Sequence, residues 1–360
     1  ICVYGGTAAG IAAGVAATEL GKSVVVLHPG RALGGMTTGG LGLTDLGNKA
    51  AIGGIARRFY RVLGSLYAGR FGKGEEVWTF EPSVATAGLS KLIQDAGLVV
   101  RTGCYLESLG RGEGGRITEI RMRGGRTVRA RQFIDATYEG DLMAAAGVPF
   151  TIGRESNSTY DETLDGLQLH PTHQFDDPVS PFCDPDDPSS GLLPGILPGS
   201  KTPRFVTSDD VVRLIGSADH RIQAYNFRVC MTNDPQNLIP FPKPPGYDAE
   251  RYELAARWID TLADPMKVFR KFDMVTPTKT DTNNHGAFST DYIGGSWEWP
   301  DADYERREAI FQEHVRYQQG LHYFLANDPR VRDEVRREYS KWGLASDEFA
   351  DTGGDRKSVV

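Results

Sequence analysis

Residues 1–10 read ICVYGGTAAG, a short apolar run followed by three glycines within six positions. The run at 1–4 is typical of a buried strand, and the alanine-rich segment at 8–20 is typical of a helix. A second run at 23–27 is rich in β-branched residues, with three consecutive valines, which predicts a parallel strand buried on both faces. Together these segments predict a β-α-β unit with a right-handed crossover.

The glycine turn lies where a β-α-β unit binds the phosphates of a dinucleotide. Gly5 permits a tight turn after the strand, and Gly10 allows the helix to pack closely against it. The free N–H groups at the helix N-terminus then face a pyrophosphate. A tight turn without a ligand is the alternative. The residues predicted to form this site are Gly5, Gly6, Thr7, Ala8, Ala9 and Gly10.

Two positions depart from the usual dinucleotide pattern. Thr7 stands where a second glycine normally allows the closest approach of backbone to ligand. His28, followed by Pro29, stands at the end of the second strand, where an acidic residue normally binds the adenosine ribose. A neutral imidazole can accept one hydroxyl hydrogen bond, so His28 is still predicted to bind the ribose.

Glycine is concentrated in this part of the chain. Of the 43 glycines, 14 lie within residues 1–54. Each glycine adds backbone entropy that folding must remove, so a dense run indicates backbone brought close to a ligand. A mobile loop is the alternative. A second glycine run follows the turn at 5–10 and is predicted to line a long dinucleotide. It comprises Gly34, Gly35, Met36, Thr37, Thr38, Gly39 and Gly40.

Residues 1–150 resemble the flavin domain of the glutathione-reductase-like superfamily, in its fumarate-reductase-like branch. A closer resemblance is to the FAD-dependent oxidoreductase family, which is also similar to the flavin domain of heterodisulfide reductase. The segments that carry it are 34–45, 52–56, 133–142, 225–228, 280–286 and 347–352.

The resemblance implies FAD as the cofactor. The pyrophosphate would lie at residues 5–10, the adenosine ribose beside His28, and the ribityl chain along residues 34–40. Ala136 and Thr137 match the alanine and threonine of the family's alanine-threonine-glycine strand end, with Tyr138 in place of the glycine. The family has a further glycine-rich segment near its C-terminus, and the lack of one after Gly354 favours a truncated chain.

The predicted fold class is α/β. A Rossmann-like FAD-binding domain, with a parallel sheet and an antiparallel β-meander, is expected over 1–150. An inserted α+β substrate domain with Pro-rich loops is expected over 151–280, and a mainly helical segment returning towards the flavin domain over 281–354. Extended patterns predict single strands at 98–109, 126–135 and 220–231.

The last six residues, 355–360, fit nothing before them. They can be back-translated as the read-through of a common sequencing adaptor, so we expect an artefact at the end of a fragment cut on both sides. A missing N-terminus leaves cytoplasmic and exported locations both open.

Four residues are candidates for catalysis: His285, Asn284, Arg228 and Tyr225. His285 is suited to moving a proton while a flavin takes a hydride, although a loop histidine bonded to backbone is an equal alternative. Arg228 and Tyr225 are suited to pairing with an anionic substrate, although structural roles are the alternative.

Net charge and the spacing of histidines and cysteines argue against several kinds of partner and metal site. The net charge of −7 argues against nucleic acid or an anionic membrane as the main partner. The arginines between 116 and 131 are interpreted as the solvent face of an antiparallel hairpin. No metal site is expected, because the loop that carries His170 and His173 lacks helical spacing. The four cysteines, Cys2, Cys104, Cys183 and Cys230, are too scattered for a zinc site or an iron–sulfur cluster.

The sequence therefore predicts an FAD-dependent oxidoreductase that transfers a hydride between a small organic substrate and flavin N5. One alternative is an electron-transfer flavoprotein that works with an iron–sulfur partner, as in heterodisulfide reductase. Another is a dinucleotide-binding protein without turnover. A redox partner or a homo-oligomer is compatible with all three.

Overall fold

The computed structural model describes residues 1–168, 175, 177–194 and 213–350. The described strands are β1 (Cys2–Tyr4), β2 (Val25–Leu27), β3 (Val99–Arg101), β4 (Leu106–Arg111), β5 (Ile117–Met122), β6 (Thr127–Arg129), β7 (Phe133–Asp135), β8 (Phe182–Asp184), β9 (Asp187–Leu192), β10 (Met231–Thr232), β11 (Leu238–Ile239), β12 (Phe272–Met274), β13 (Thr280–Thr282) and β14 (Gly343–Ala345). The described α-helices are α1 (Ala8–Glu19), α2 (Gly54–Tyr67), α3 (Pro82–Asp95), α4 (Asp141–Ala145), α5 (Asn157–Tyr160), α6 (Glu253–Thr261), α7 (Tyr304–Asn327) and α8 (Asp333–Tyr339).

A four-stranded parallel sheet in the order β3-β2-β1-β7 forms the centre of the first part of the chain. The three side chains of β1 are fully buried, as expected for a strand covered on both faces. Helix α1 begins after Thr7 and ends at Glu19, and Gly21 follows in the left-handed conformation at φ +72°. The predicted α/β class and the opening β-α-β unit are confirmed.

The predicted β-meander is an antiparallel sheet of β4, β5 and β6. On β5, Ile120 and Met122 are buried, while Arg121 faces solvent beside Glu119. Glu119 also pairs with Arg129 on β6. The interpretation of the arginine-rich stretch as the solvent face of a hairpin is confirmed.

Two predicted single strands are each divided between two sheets. The segment 98–109 contains β3 in the parallel sheet and β4 in the meander, separated by a turn in which Gly103 has φ +68°. The segment 126–135 likewise contains β6 and β7. Both halves of each segment are extended, so side-chain alternation does not reveal where the chain changes sheet.

The prediction of a strand over 220–231 was wrong, because within that segment only Met231, the first residue of β10, belongs to a strand. The Phe227 N–H donates to the side-chain oxygen of Gln318 at 2.8 Å, and the Gln318 amide donates back to the Phe227 carbonyl at 2.5 Å. One buried glutamine on α7 thus pairs both backbone groups that a neighbouring strand would otherwise pair.

The second part of the chain has its own aromatic-rich core. Helices α6 and α7 contribute Trp258, Tyr317 and Phe324, and β14 closes a small sheet between β10 and β11. The domain boundaries stay predictions, although β13 continues across the one placed between 280 and 281. No helix in the described ranges combines the length and apolar character of a membrane span.

A buried ion cluster joins the two parts of the chain. The Lys279 ammonium lies 2.8 Å from Glu81, 2.7 Å from Asp347 and 2.9 Å from Glu348. Although burial lowers the pKa of Lys279, hydrogen bonds to the three carboxylates hold it above its usual range. Glu348 also accepts hydrogen bonds from the Ser83 backbone and hydroxyl, at the start of α3. Glu81, Asp347 and Glu348 form the one group of side chains among the described residues that could hold a metal ion, and the Lys279 ammonium lies at its centre.

Replacing Lys279 with Met will leave buried carboxylates without their counter-charge. We expect a loss of about 3–5 kcal/mol in the free energy of unfolding, measured by urea denaturation. The matched control is Lys341→Met, which removes an exposed pair with Glu338 and should cost less than about 1 kcal/mol. Equal losses in the two variants would contradict a stabilising role for the cluster.

Helix α7 carries two buried histidines that the fold holds neutral. His322 stacks on Phe241 at 5.0 Å, and its Nδ1 shares a hydrogen bond of 2.8 Å with the Tyr339 hydroxyl. Burial lowers the pKa of His322 from 6.5 to about 4. Burial also lowers the pKa of His314, whose Nδ1 lies 2.8 Å from the Ile310 carbonyl.

The lowered pKa of His322 makes stability depend on pH. The unfolded chain takes up this proton near pH 6.5 and the folded chain only near pH 4, so stability is complete above pH 6.5 and falls between the two values. The loss reaches about 3 kcal/mol at the acidic end. We expect His322→Leu to flatten this pH dependence in chemical denaturation. Tyr339→Phe removes the hydrogen bond but keeps the titrating ring, and should retain the slope.

Candidate functional site

The turn between β1 and α1 has no space for a side chain at Gly5, nor has the first turn of α1 at Gly10. Gly5 has φ +109°, and a Cβ there would overlap the backbone of Ala136. A Cβ on Gly10 would overlap the carbonyl oxygen of Gly5. The end of β7, the turn and α1 therefore approach one another at backbone distance, and the predicted segments 5–10 and 136–137 lie together.

Thr7 supports this turn from within the protein. Its hydroxyl accepts a hydrogen bond from the Gly10 N–H at 3.2 Å, which caps α1, and donates to the Ala136 carbonyl at 2.8 Å. The Thr7 side chain is buried, and of the N–H groups of α1 its hydroxyl accepts only that of Gly10. Within the described chain, the N–H groups of Ala8 and Ala9 have no acceptor, and Ala9 is exposed. These two donors are available to an anion.

His28 lies at the predicted end of β2, but its acceptor nitrogen is already used. The Gly6 N–H donates to His28 Nδ1 at 3.0 Å. Burial lowers the pKa of His28, partly offset by a hydrogen bond with the Ala32 backbone, so the ring is held neutral. The Nδ1 acceptor is therefore occupied by the glycine turn, while contact between His28 and a ribose stays a prediction. Pro29 follows, half-buried.

The second glycine run meets the first through a backbone contact. The Gly34 N–H donates to the Gly6 carbonyl at 2.7 Å, and Gly34 has φ +95°. Residues Gly35–Thr38 then form a 3₁₀ turn, closed by a 2.5 Å hydrogen bond from the Thr38 hydroxyl to the Leu33 carbonyl. Gly39 and Gly40 continue the backbone from this turn, so all the glycines predicted to line a dinucleotide lie in one continuous region.

Three residues after β7 were not predicted to have roles, yet each makes a long-range contact. The Tyr138 hydroxyl accepts a hydrogen bond from the Met36 N–H at 2.8 Å and covers Gly35. Glu139 accepts from the Trp299 indole N–H at 2.7 Å. Asp141 accepts two hydrogen bonds from the Arg307 guanidinium, at 3.0 and 2.9 Å. The sequence signals for them were their place in the 133–142 segment of the family resemblance and, for Glu139 and Asp141, an acidic residue soon after a strand.

Among the catalytic candidates, Arg228 lies directly against the second glycine run. A Cβ on Gly40, which has φ +108°, would come within 2.7 Å of both the Cβ and the carbonyl oxygen of Arg228. The Arg228 guanidinium pairs with Asp281 at 3.1 Å. Asp281 is almost fully buried and also accepts the Leu43 N–H at 3.1 Å. Sequence reasoning missed Asp281, although it is the acidic residue of the 280–286 segment.

The other three candidates lie in different surroundings. Tyr225 packs edge-on against Trp299, and burial together with Glu139 raises the pKa of its hydroxyl. The Asn284 amide donates to Asp291, which also accepts a hydrogen bond from the Asn226 amide.

His285 lines a cavity of about 40 Å³ in the second core, together with Trp258 and Thr282. The structure therefore assembles the predicted cofactor residues more closely than the predicted catalytic ones. His170 and His173 lie outside the described residues.

A model of the family described as FAD dependent oxidoreductase matches residues 1–355. The chain belongs to this family. FAD is accordingly its cofactor. The glycine turn fits that group, because a Cβ at Gly5 or Gly10 would fill it and because two helix N–H groups have no acceptor in the described ranges.

Solved structures resemble this family member only distantly. L-proline dehydrogenase from P. horikoshii is 15% identical over 43% of this chain and 57% of that chain, with a TM-score of 0.31. A 3-ketosteroid-Δ4-(5α)-dehydrogenase from Rhodococcus jostii RHA1 is 16% identical over 37% of this chain and 44% of that chain, with a TM-score of 0.27. The chain thus spans less than two thirds of either protein. Among curated proteins it has no significant match.

The close packing of the turn predicts that alanine is tolerated poorly at Gly10 and well at an exposed glycine elsewhere in the chain. Gly10→Ala forces α1 away from Gly5, so we expect a loss of about 1–3 kcal/mol of stability and weaker FAD binding. The control is Gly47→Ala, since a Cβ at this exposed glycine would meet nothing within 4 Å. Denaturation and FAD titration of both variants provide the comparison. A harmless Gly10→Ala would refute the packing argument.

Proposed function

We propose that this protein is an enzyme that uses FAD to exchange a hydride between a small organic substrate and flavin N5. The observation that carries the proposal is the open N-terminus of α1, where the N–H groups of Ala8 and Ala9 have no acceptor among the described residues, beside a turn with no space for a side chain at Gly5. When bound, FAD supplies the hydride chemistry, and the protein supplies binding and orientation.

The first glycine turn is proposed to bind the pyrophosphate. Its two available N–H groups lie at the positive end of the α1 dipole, and Thr7 holds the first turn of the helix rigid by capping it. No lysine or arginine lies within residues 5–21, so binding would depend on backbone donors and the helix dipole. The contact between Gly34 and Gly6 then directs a long ligand from the first glycine run to the second.

The second glycine run is proposed to orient the reacting end of the cofactor. Tyr138 holds Met36 through a hydrogen bond and Arg228 packs against Gly40, so the run is supported at both ends. Arg228 is the candidate best placed to contact a substrate bound there. His285 and Asn284 stay candidates for moving a proton, and Tyr225 for a polar contact.

The decisive experiment is to purify the full chain, load it with FAD and add candidate substrates without oxygen. Bleaching of the flavin absorbance by an organic substrate supports an oxidoreductase. Reduction only through an added iron–sulfur protein would favour the electron-transfer alternative, and no reduction by any donor would favour binding without turnover. A chain that cannot be loaded with FAD would refute the proposal.

A proline at position 8 tests the pyrophosphate contact without breaking the helix. Ala8 is the first helical residue, where proline is well tolerated, and Thr7 has the extended conformation that precedes proline (φ −69°, ψ 173°). Ala8→Pro removes one N–H, so we expect FAD to bind about tenfold more weakly, with little change in the stability of the FAD-free protein. Ala8→Gly retains the N–H and is expected to bind nearly normally. Equal affinities in the two variants would place the pyrophosphate elsewhere.

A further inference from the structure

The Arg228–Asp281 pair is a buried charge pair beside the second glycine run. The Arg228 side chain is only 14% exposed and that of Asp281 only 2%. One carboxylate oxygen of Asp281 accepts from Arg228 Nη1 and the other from the Leu43 N–H, both at 3.1 Å. Asp281 therefore ties the guanidinium to the backbone directly after the glycine run, and restricts where the arginine points.

This pairing uses only one of the three nitrogens of the guanidinium. Nε and Nη2 of Arg228 have no acceptor within the described part of the chain, yet neither is among its fully enclosed unpaired atoms. The two nitrogens form one edge of a planar fork, which matches the two oxygens of a carboxylate through parallel hydrogen bonds. A guanidinium fixed at one corner loses little conformational entropy on binding, so its remaining edge is preorganised for such a ligand.

The charges around Arg228 indicate that recognition of an anion there depends more on hydrogen-bond geometry than on net charge. Burial raises the pKa of Asp281, with Arg228 and the Leu43 N–H offsetting the effect and Asp273 on β12 adding to it. A pair that is nearly neutral overall attracts anions only weakly at a distance. Discrimination must then come from the paired N–H donors, which distinguish a carboxylate from an uncharged group of the same shape.

We propose that the free edge of Arg228 binds a carboxylate of the substrate, which makes the substrate a small organic acid, and that Asp281 is the residue that positions Arg228. The assignment rests on the proposed function, because it places this carboxylate next to the glycine run that orients the cofactor. It requires no change in the flavin chemistry.

The test uses the full chain loaded with FAD, with propionate and its uncharged counterpart propionamide as probes. Calorimetry measures affinity, and the flavin absorption spectrum reports whether the probe binds close to the cofactor. We expect propionate to bind at least about tenfold more tightly than propionamide, and to shift the flavin spectrum. Arg228→Met should remove this preference, while the FAD content remains that of the wild type.

Further variants separate the effect of the paired N–H donors of Arg228 from the effect of its charge. Arg228→Lys keeps the charge but not the paired donors, and should recover only part of the preference for propionate. Asp281→Asn leaves Arg228 in place but loosens its orientation, so we expect weaker propionate binding with little change in propionamide binding. The matched control is Arg154→Met, which removes the arginine of another Arg–Asp pair, with Asp219, and should bind both probes as the wild type does.

Three results would overturn the proposal: no propionate binding, equal binding of the two probes, or unchanged propionate binding in Arg228→Met. If Arg228→Met does not fold, Arg228→Lys applies the same criterion. Failure to load FAD is a separate outcome that refutes the proposed function, and calorimetry on the same protein then still decides whether Arg228 binds carboxylates.

Discussion

The close approach of backbone at the first glycine turn is the constraint on which this structure depends. Gly5 lies against the end of β7, and Gly10 lies against the carbonyl oxygen of Gly5. No residue with a side chain fits at either position without moving a strand or the helix. Among the described residues, the N–H groups of Ala8 and Ala9 at the start of α1 have no acceptor, so the same closely packed turn leaves two donors available to an anion.

A second level of organisation comes from buried polar contacts between distant parts of the chain. Lys279 joins Glu81 to Glu348, and Arg307 joins α7 to Asp141 at the start of α4. Pairing offsets the desolvation energy of buried charges, and removing one partner leaves the other buried and uncompensated, which is strongly destabilising. Here they connect the starts of β13 and α7, in the second part of the chain, to the starts of α3 and α4, which lie near the parallel sheet.

The elements that were predicted correctly are those determined by local chemistry. The run at 1–4, the alanine-rich helix and the glycine turn each follow from residues adjacent in the chain. The errors occurred where distant residues decided the outcome. The segment 98–109 changes sheets in mid-course, and Phe227 pairs with the Gln318 side chain instead of a strand. Neither event leaves a periodic signal, because both depend on partners far away in sequence.

By itself, the sequence determined the α/β class, the position of the glycine turn and the family, because these depend on short motifs and on steric rules that act locally. Only the tertiary structure decided which candidate residues share a site. It placed Arg228 and Asp281 at the second glycine run, and it placed His285 at a cavity lined by residues of the second core. The acceptor of His28 was likewise assigned to Gly6 by a contact that spans 22 residues. Side-chain pairing across such distances is set by how the elements pack, and packing is a property of the whole fold.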